Sequence, residues 1–294
     1  MIIDAHAHIY DILSGYGAKG EFRPIGKGCG IWANGKIERF FPEKYGDREF
    51  LAETLIDLMD ENGVDHSVLL QGGNYGFHNH YYAEVAEKYP DRFTAVGAVD
   101  PYARYAGQIF DHLTDELGFR AIKLELSTEW GLTGYHPNLR IDGEEMGYLF
   151  KKADEKALTV VLDMGPVAMS SFDAEALTRI VDKYPRVTFV MTHCFFPCND
   201  GKNEMRLEYA KRLSSDNFVF DFANVNIEEQ SEFLKKMKAT VGADKMMWGT
   251  DLPGILCGFT YLQLIERVTK RDIFNKDELI AVMGENARRI YLNK

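Results

Sequence analysis

The sequence predicts a closed (β/α)₈ barrel, and three observations carry that expectation. Eight short runs rich in β-branched and apolar residues alternate with eight amphipathic stretches of helical spacing, the pattern of successive βα units on a parallel sheet. Several of the runs end on an ionisable residue, and barrels of this kind carry their catalytic groups at the strand ends. The fingerprint Gly-x-Gly-x-x-Gly is missing after the first run, which removes the main signal for an open dinucleotide-binding sheet.

The candidate strands are residues 2–8, 66–71, 93–99, 121–126, 158–164, 187–193, 218–223 and 245–251. The first helix, 49–62, places Leu51, Leu55, Leu58 and Met59 on one face and stops at Gly63, as helical periodicity and a glycine stop signal require. Further helices are expected over 77–89, 103–117, 143–157, 173–184, 203–213, 227–241 and 259–269. Residues 276–291 form an additional C-terminal helix with Leu279, Ile280, Met283, Ala287 and Ile290 as its apolar stripe. Residues 9–48 read as one long glycine-rich connection after strand one, and long ordered loops at that face are usually functional or mobile.

At 294 residues the chain fits a single domain, 1–294, since a barrel takes about 250 residues. Acids outnumber bases 45 to 34, a net charge of −11. That argues against nucleic acid as a partner, which calls for a basic face. No apolar run is long enough to span a bilayer. The opening Met1-Ile2-Ile3-Asp4 has neither the basic nor the apolar region of a secretory leader, so a cytoplasmic protein without a membrane partner is expected. Cys29, Cys194, Cys198 and Cys257 are too few for a disulfide framework and read as free thiols.

His6 and His8 are two residues apart on strand one, so their side chains share a face, with Asp4 one layer below. Two imidazoles and a carboxylate are costly to bury against helices. Near the C-terminal rim of the barrel interior a metal ion satisfies both nitrogens. Later strands bring matching groups. His193 ends strand six, Asp251 ends strand eight, Asp163 lies near the end of strand five, and Lys123 and Glu125 share a face of strand four. Lys123 either binds substrate or simply pairs with Glu125 or another acid. Asp221 on strand seven reads more simply as a structural acid. His66 and His112 are given no role. His78, His80 and His136 lie in loops, where a structural reading is the simpler one.

These residues belong to a longer set. Asp4-Ala5-His6-Ala7-His8, Tyr89-Pro90-Asp91-Arg92-Phe93, Gly118-Phe119-Arg120-Ala121-Ile122-Lys123-Leu124, Val190-Met191-Thr192-His193, Trp248-Gly249-Thr250-Asp251-Leu252-Pro253 and Gly284-Glu285-Asn286-Ala287-Arg288-Arg289 follow in order along nearly the whole chain. Together they resemble the amidohydrolase-related family, in the branch that includes aminocarboxymuconate semialdehyde decarboxylase, resorcylate decarboxylases and lactonases. The resemblance implies one divalent metal ion, zinc first and manganese second. It makes His6 and His8 the first two ligands and Asp251 the last, with His193 positioning water or substrate. The family's strand-five His ligand has no counterpart. Asp163, in Asp163-Met164-Gly165, stands at that ligand position, and a carboxylate there favours harder metals.

The leading expectation is metal-assisted hydrolysis of a small, anionic, carboxylate-bearing substrate. Asp251 takes up the water's proton, His193 stabilises the developing oxyanion, and Lys123 and Glu125 contact the substrate. Arg23, Lys27 and Trp32 of the long first loop close over the pocket. The alternatives are non-oxidative decarboxylation of a small aromatic or unsaturated acid with the same ligand set, and a non-catalytic binder on the same barrel. A homodimer is the candidate assembly.

Overall fold

The structure is a computed structural model and describes residues 1–293. Barrel strand one is Ile3–Ala7 and strand two His66–Leu69. Strand three comes in two pieces, Phe93–Ala95 and Gly97–Ala98. Strands four to eight are Ala121–Glu125, Thr159–Asp163, Thr188–Met191, Phe218–Asp221 and Met246–Met247. Every neighbouring pair is parallel. The first half of strand three pairs with strand two and the second half with strand four. Strand eight is shorter than the sequence suggests, because residues beyond Met247 cross to strand one instead. There the ring closes: Ala5 donates to the Trp248 carbonyl at 3.0 Å, Asp251 to that of His6 at 2.8 Å, and His8 to that of Leu252 at 2.8 Å. Gly249 permits this approach, since a Cβ there would lie 2.7 Å from the Cβ of His6.

The barrel interior is apolar at its lower end. Ile3, Ala5, Val68, Val96, Ala121, Val161, Val190, Val219 and Met247 form one buried cluster, so each strand contributes a side chain to it. Ala287, Ile290 and Tyr291 of the C-terminal segment complete it. That segment starts as the helix Lys276–Ile280, continues in wide π-type turns, and is tied to strand eight by Asn286, which donates to the Met246 carbonyl at 2.7 Å. The outer helices follow their sequence signals closely. Ala174–Lys183, for example, buries Leu177, Ile180 and Val181 and is capped by the Asp173 carboxylate, which accepts an otherwise unpaired N-terminal N–H. No helix among the described residues is long and apolar enough to cross a membrane.

The connection after strand one differs from the sequence expectation. It contains a four-stranded antiparallel sheet, Gly15–Gly17, Gly20–Gly26, Cys29–Trp32 and Ile37–Arg39. Its glycines look like loop punctuation in the sequence, but at least one has a packing role. The Phe22 ring lies over Gly30, where a Cβ would come within 1.9 Å of the ring. Phe22 then packs on Trp32 and Phe40 at centroid distances of 4.8 and 4.7 Å, which joins the small sheet to the main core around the barrel.

Candidate metal centre and active site

Strand one does not alternate regularly. Asp4 pairs with Ser67 and Ala7 with Leu69, so strand one spends three steps where strand two spends two. This extra residue is a β-bulge, a device that re-aims side chains. Ile3 and Ala5 face the barrel interior. Without the bulge, Asp4, His6 and His8 would all face the helices. The bulge turns His6 and His8 inward and leaves Asp4 behind. Asp4 therefore does not lie beneath the histidines, contrary to the sequence expectation. Its buried carboxylate accepts from Thr250 N at 2.9 Å, Thr250 Oγ1 at 2.6 Å, Tyr261 OH at 2.8 Å and His6 N at 3.1 Å, clamping the residues after strand eight against strand one.

Each inward histidine is held by its Nδ1. In His6 this atom meets Asp221 Oδ2 at 3.1 Å, and in His8 the Leu70 carbonyl at 2.7 Å. A carbonyl can only accept, so His8 carries its proton on Nδ1 and turns the Nε2 lone pair towards Asp251 Oδ1, 3.0 Å away. Burial pushes His8 down to about 4, so it brings no second proton at neutral pH. Two acceptors thus face each other at hydrogen-bond distance. His6 Nε2, buried and without a hydrogen-bond partner, lies 3.5 Å from the same carboxylate oxygen. The ligand atoms of His6, His8 and Asp251 all fall within 4.8 Å of one another. A divalent cation resolves these conflicts together, and two imidazole nitrogens with a carboxylate oxygen suit zinc or manganese. Burial works against ionisation of Asp251, but the imidazoles of His8, His6 and His193 around it hold its pKa well below the usual carboxylate range. Asp251 Oδ2 accepts from Asn224 Nδ2 at 2.9 Å, which fixes the carboxylate's rotation.

His193 sits on an unusual turn. His193, Cys194, Phe195 and Phe196 all have positive φ, at 56°, 45°, 64° and 52°, a left-handed run containing no glycine. Such residues cost about 1–2 kcal/mol each and cluster at functional sites. The fully buried Arg206 supports the turn, donating to the Phe195 carbonyl at 3.0 Å and to both oxygens of Asp200 at 2.7 and 2.8 Å. The result aims the His193 ring inward, with Nδ1 2.8 Å from the Ala223 carbonyl and Nε2 3.3 Å from Asp163 Oδ2. Both ring nitrogens face acceptors. Burial alone would lower the pKa of His193, but the Asp163 hydrogen bond and the charges of Asp163, Asp251 and Asp221 lift it to about 10. His193 is therefore held as a cation.

Asp163 belongs with this histidine. The structure places it against His193 rather than within the His6, His8 and Asp251 group. Burial opposes its ionisation, yet His193 and Lys123 hold its pKa far below the ordinary value. Glu125, beside it, is pushed up to about 8 by burial and by the Asp163 charge, against the pull of Lys123. The proton shared in this corner thus rests on Glu125, whose Oε1 accepts from the Ser127 hydroxyl at 2.6 Å. Lys123 Nζ lies 3.5 Å from Glu125 Oε2.

One cavity of about 270 Å³ opens over these groups, near the lower end of ligand-pocket sizes of about 300–1,000 Å³. His8, Lys123, Glu125, Asp163, His193 and Asp251 line its polar side. Phe40, Tyr75, Trp130, Phe196 and Ile255 supply the apolar side, with Arg39, Asn74 and Asn224 between. Arg23 and Trp32 do not line it. Arg23 is exposed, and Trp32 is buried in the small sheet, donating from Nε1 to Glu38 at 2.7 Å. Lys27 is exposed and pairs with Glu43. The same segment reaches the cavity through Arg39 and Phe40 instead. His78 pairs with Asp11 and His136 with Asp100, and neither lines the cavity.

Asp221, expected as a structural acid on strand seven, sits directly behind the site. Fully buried, it bonds His6 Nδ1 through Oδ2, and the backbone N–H groups of His193 and Ala223 through Oδ1 at 2.9 and 3.1 Å. One carboxylate thus orients the His6 ring and anchors the backbone at His193. The signal was available: Asp221 ends its strand as Asp163 ends strand five. Asn224, Arg39 and Tyr75 come from connections and carry no comparable signal.

A family model described as amidohydrolase matches residues 3–292. No curated protein matches the chain. Among solved structures, an amidohydrolase from Burkholderia multivorans with bound zinc superposes with a TM-score of 0.73 at 14% identity, over 99% of both chains. A probable 2-pyrone-4,6-dicarboxylic acid hydrolase from Acinetobacter baumannii, with citric acid bound, gives 0.69 at 17% identity over 98% of both chains. A dihydroxybenzoic acid decarboxylase from Polaromonas sp. JS666, with manganese and 2-nitroresorcinol, gives 0.61 at 16% identity over 83% of this chain and 87% of its own. At these identities the likeness speaks for the barrel fold.

Proposed function

This chain belongs to the amidohydrolase family, and on that premise we propose that it is a metal-dependent hydrolase of a small carboxylate-bearing substrate. The observation that carries the reading is the pair of facing acceptors, His8 Nε2 and Asp251 Oδ1 at 3.0 Å, beside the unpartnered Nε2 of His6. His6, His8 and Asp251 hold the ion, zinc first and manganese second. Bound there, a divalent ion supplies Lewis acidity and lowers the pKa of water towards about 7.

The protein's own groups do the rest. Asp251, kept ionised, accepts a proton at its carboxylate and returns it to the leaving group. Asn224 keeps that carboxylate from rotating. The cationic His193 stabilises negative charge developing on the substrate oxygen, the role of a preorganised positive group in a water-poor site. Lys123 receives the substrate carboxylate, and the aromatic wall excludes bulk water.

Decarboxylation is the second reading, favoured by the proton on Glu125 at the cavity wall. That group can protonate a carbanion after CO₂ departs. Incubation with small lactones, amides and hydroxybenzoates separates the two. Ring-opened or cleaved product that disappears on chelation supports hydrolysis. CO₂ release without hydrolysis product replaces it with the second reading. Loss of neither substrate class, with no metal retained after zinc- or manganese-supplemented expression, leaves a non-catalytic binder.

A further inference from the structure

The cavity holds three cationic side chains, and two of them face acids: Lys123 is 3.5 Å from Glu125, and His193 is 3.3 Å from Asp163. Arg39 is different. It makes no ion pair among the described residues, in a chain where acids outnumber bases 45 to 34. One Nη1 donates to the Lys27 carbonyl at 3.0 Å, which steadies the guanidinium and leaves most of its five donors open. Arg39 ends the last strand of the small sheet, paired in register with Cys29. Phe40, next to it, packs edge-on against Tyr75 with centroids 5.6 Å apart. A Cβ on Gly254 would lie 3.7 Å from the Phe40 carbonyl, so this strand end rests on the turn after strand eight. Arg39 is exposed and Lys123 is almost fully buried, so the same cavity has one cation in its depth and another at its rim. Phe40, Tyr75, Trp130 and Phe196 make the apolar side of the wall largely aromatic, a surface suited to a flat ring.

We propose that Arg39 is a specificity-determining residue for a second anionic group, so that the preferred substrate is a small flat dianion with one carboxylate on Lys123 and the other on Arg39. This rests on the reading of the cavity as the substrate site. A guanidinium that pairs with a carboxylate in forked geometry makes a strong, direction-specific contact. The cavity volume of about 270 Å³ leaves room for a small ring body between the two carboxylates.

The test uses two flat acids that cannot be hydrolysed, isophthalate and benzoate, titrated calorimetrically into the full chain from zinc-supplemented expression. Wild type should bind isophthalate about tenfold or more tighter than benzoate, the scale of one charge-assisted contact. Arg39→Met should remove most of that preference and leave benzoate binding unchanged, which also reports an intact fold. Arg39→Lys should recover part of it, and Lys123→Met should weaken both acids. Equal affinity for the two acids in wild type, or binding of neither, overturns the proposal. So does an unchanged preference in Arg39→Met, or an equal loss of both acids in that variant. Turnover assayed in parallel keeps the two readings apart: a preference for isophthalate without hydrolysis of any substrate would reject the hydrolase and keep the dianion site.

Discussion

Where the barrel strands begin, the interior is filled by Ile3, Ala5, Val68, Val161, Val190, Val219 and Met247 and closed by Ala287, Ile290 and Tyr291. Where the same strands end, it holds His6, His8, Lys123, Glu125, Asp163, His193, Asp221 and Asp251, all buried or nearly so. The lower end needs only shape, since apolar side chains gain by leaving water. The upper end carries desolvated charges, a glycine-free left-handed turn and an unpartnered imidazole nitrogen. Each of these costs stability, and their concentration at one end is what the proposed site accounts for. If the proposed function holds, the division separates residues that hold the fold from residues that act, and substitutions at the two ends should separate in the same way.

The largest effect belongs to Asp251→Asn. It should lower kcat/KM by about 10²–10⁴-fold, the usual contribution of a proton-transferring group, and reduce bound metal measured by elemental analysis. Its unfolding midpoint should stay close to wild type, because the loss of a carboxylate favoured by the surrounding imidazoles is offset by an amide that can donate to His8 Nε2. Near-wild-type turnover would remove Asp251 from the chemistry. At the other end, Ile290→Ala should do the reverse. It opens a cavity in the interior cluster and should cost about 2–5 kcal/mol of stability by urea unfolding, with kcat/KM unchanged. A parallel loss of activity would mean that the two ends are coupled.

Asp221→Asn probes the boundary between the ends. Asn keeps the shape but replaces one acceptor oxygen with a donor, and His6 loses the charge behind its Nδ1. Groups of this kind behind a metal ligand contribute about 10–100-fold in metal affinity. A chelator-competition titration should show a loss in that range with most of the fold retained. An unchanged affinity would leave His6 oriented by packing alone.

The legible parts of the molecule were those written in local pattern. Apolar runs and helical stripes marked strands and helices, and paired imidazoles and terminal acids marked the candidate site. What stayed hidden depends on partners distant in sequence. The bulge in strand one exists only relative to Ser67 and Leu69, so strict alternation placed Asp4 under the histidines when it faces Tyr261. The left-handed turn at His193–Phe196 has no glycine to announce it and is held by Arg206 from a later helix. Asp163 stands at the family's ligand position, but its Oδ2 meets His193 Nε2, which comes from the next strand. The small sheet was obscured by glycines that serve aromatic packing, which is why Arg23 and Trp32 were expected at the cavity in place of Arg39 and Phe40.

Each end of the barrel also contains a buried polar atom with no hydrogen-bond partner among the described residues: His6 Nε2 above and Tyr291 OH below. The two are alike in cost and opposite in setting. His6 Nε2 points at Asp251 with His8 beside it, so a cation can repay the lost water. Tyr291 OH lies in the apolar cluster with Ala287 and Ile290, and burial, with the Asp221 charge second, pushes its phenol well above the ordinary value, so it stays neutral and gains nothing from ionising. An unsatisfied buried hydroxyl costs about 1–3 kcal/mol, while the ring around it still packs. Tyr291→Phe should therefore raise stability by about 1 kcal/mol in urea unfolding and leave kcat/KM and metal content untouched. A loss of stability would show that the hydroxyl has a partner, such as an internal water, and that the lower end is less purely apolar than its side chains suggest.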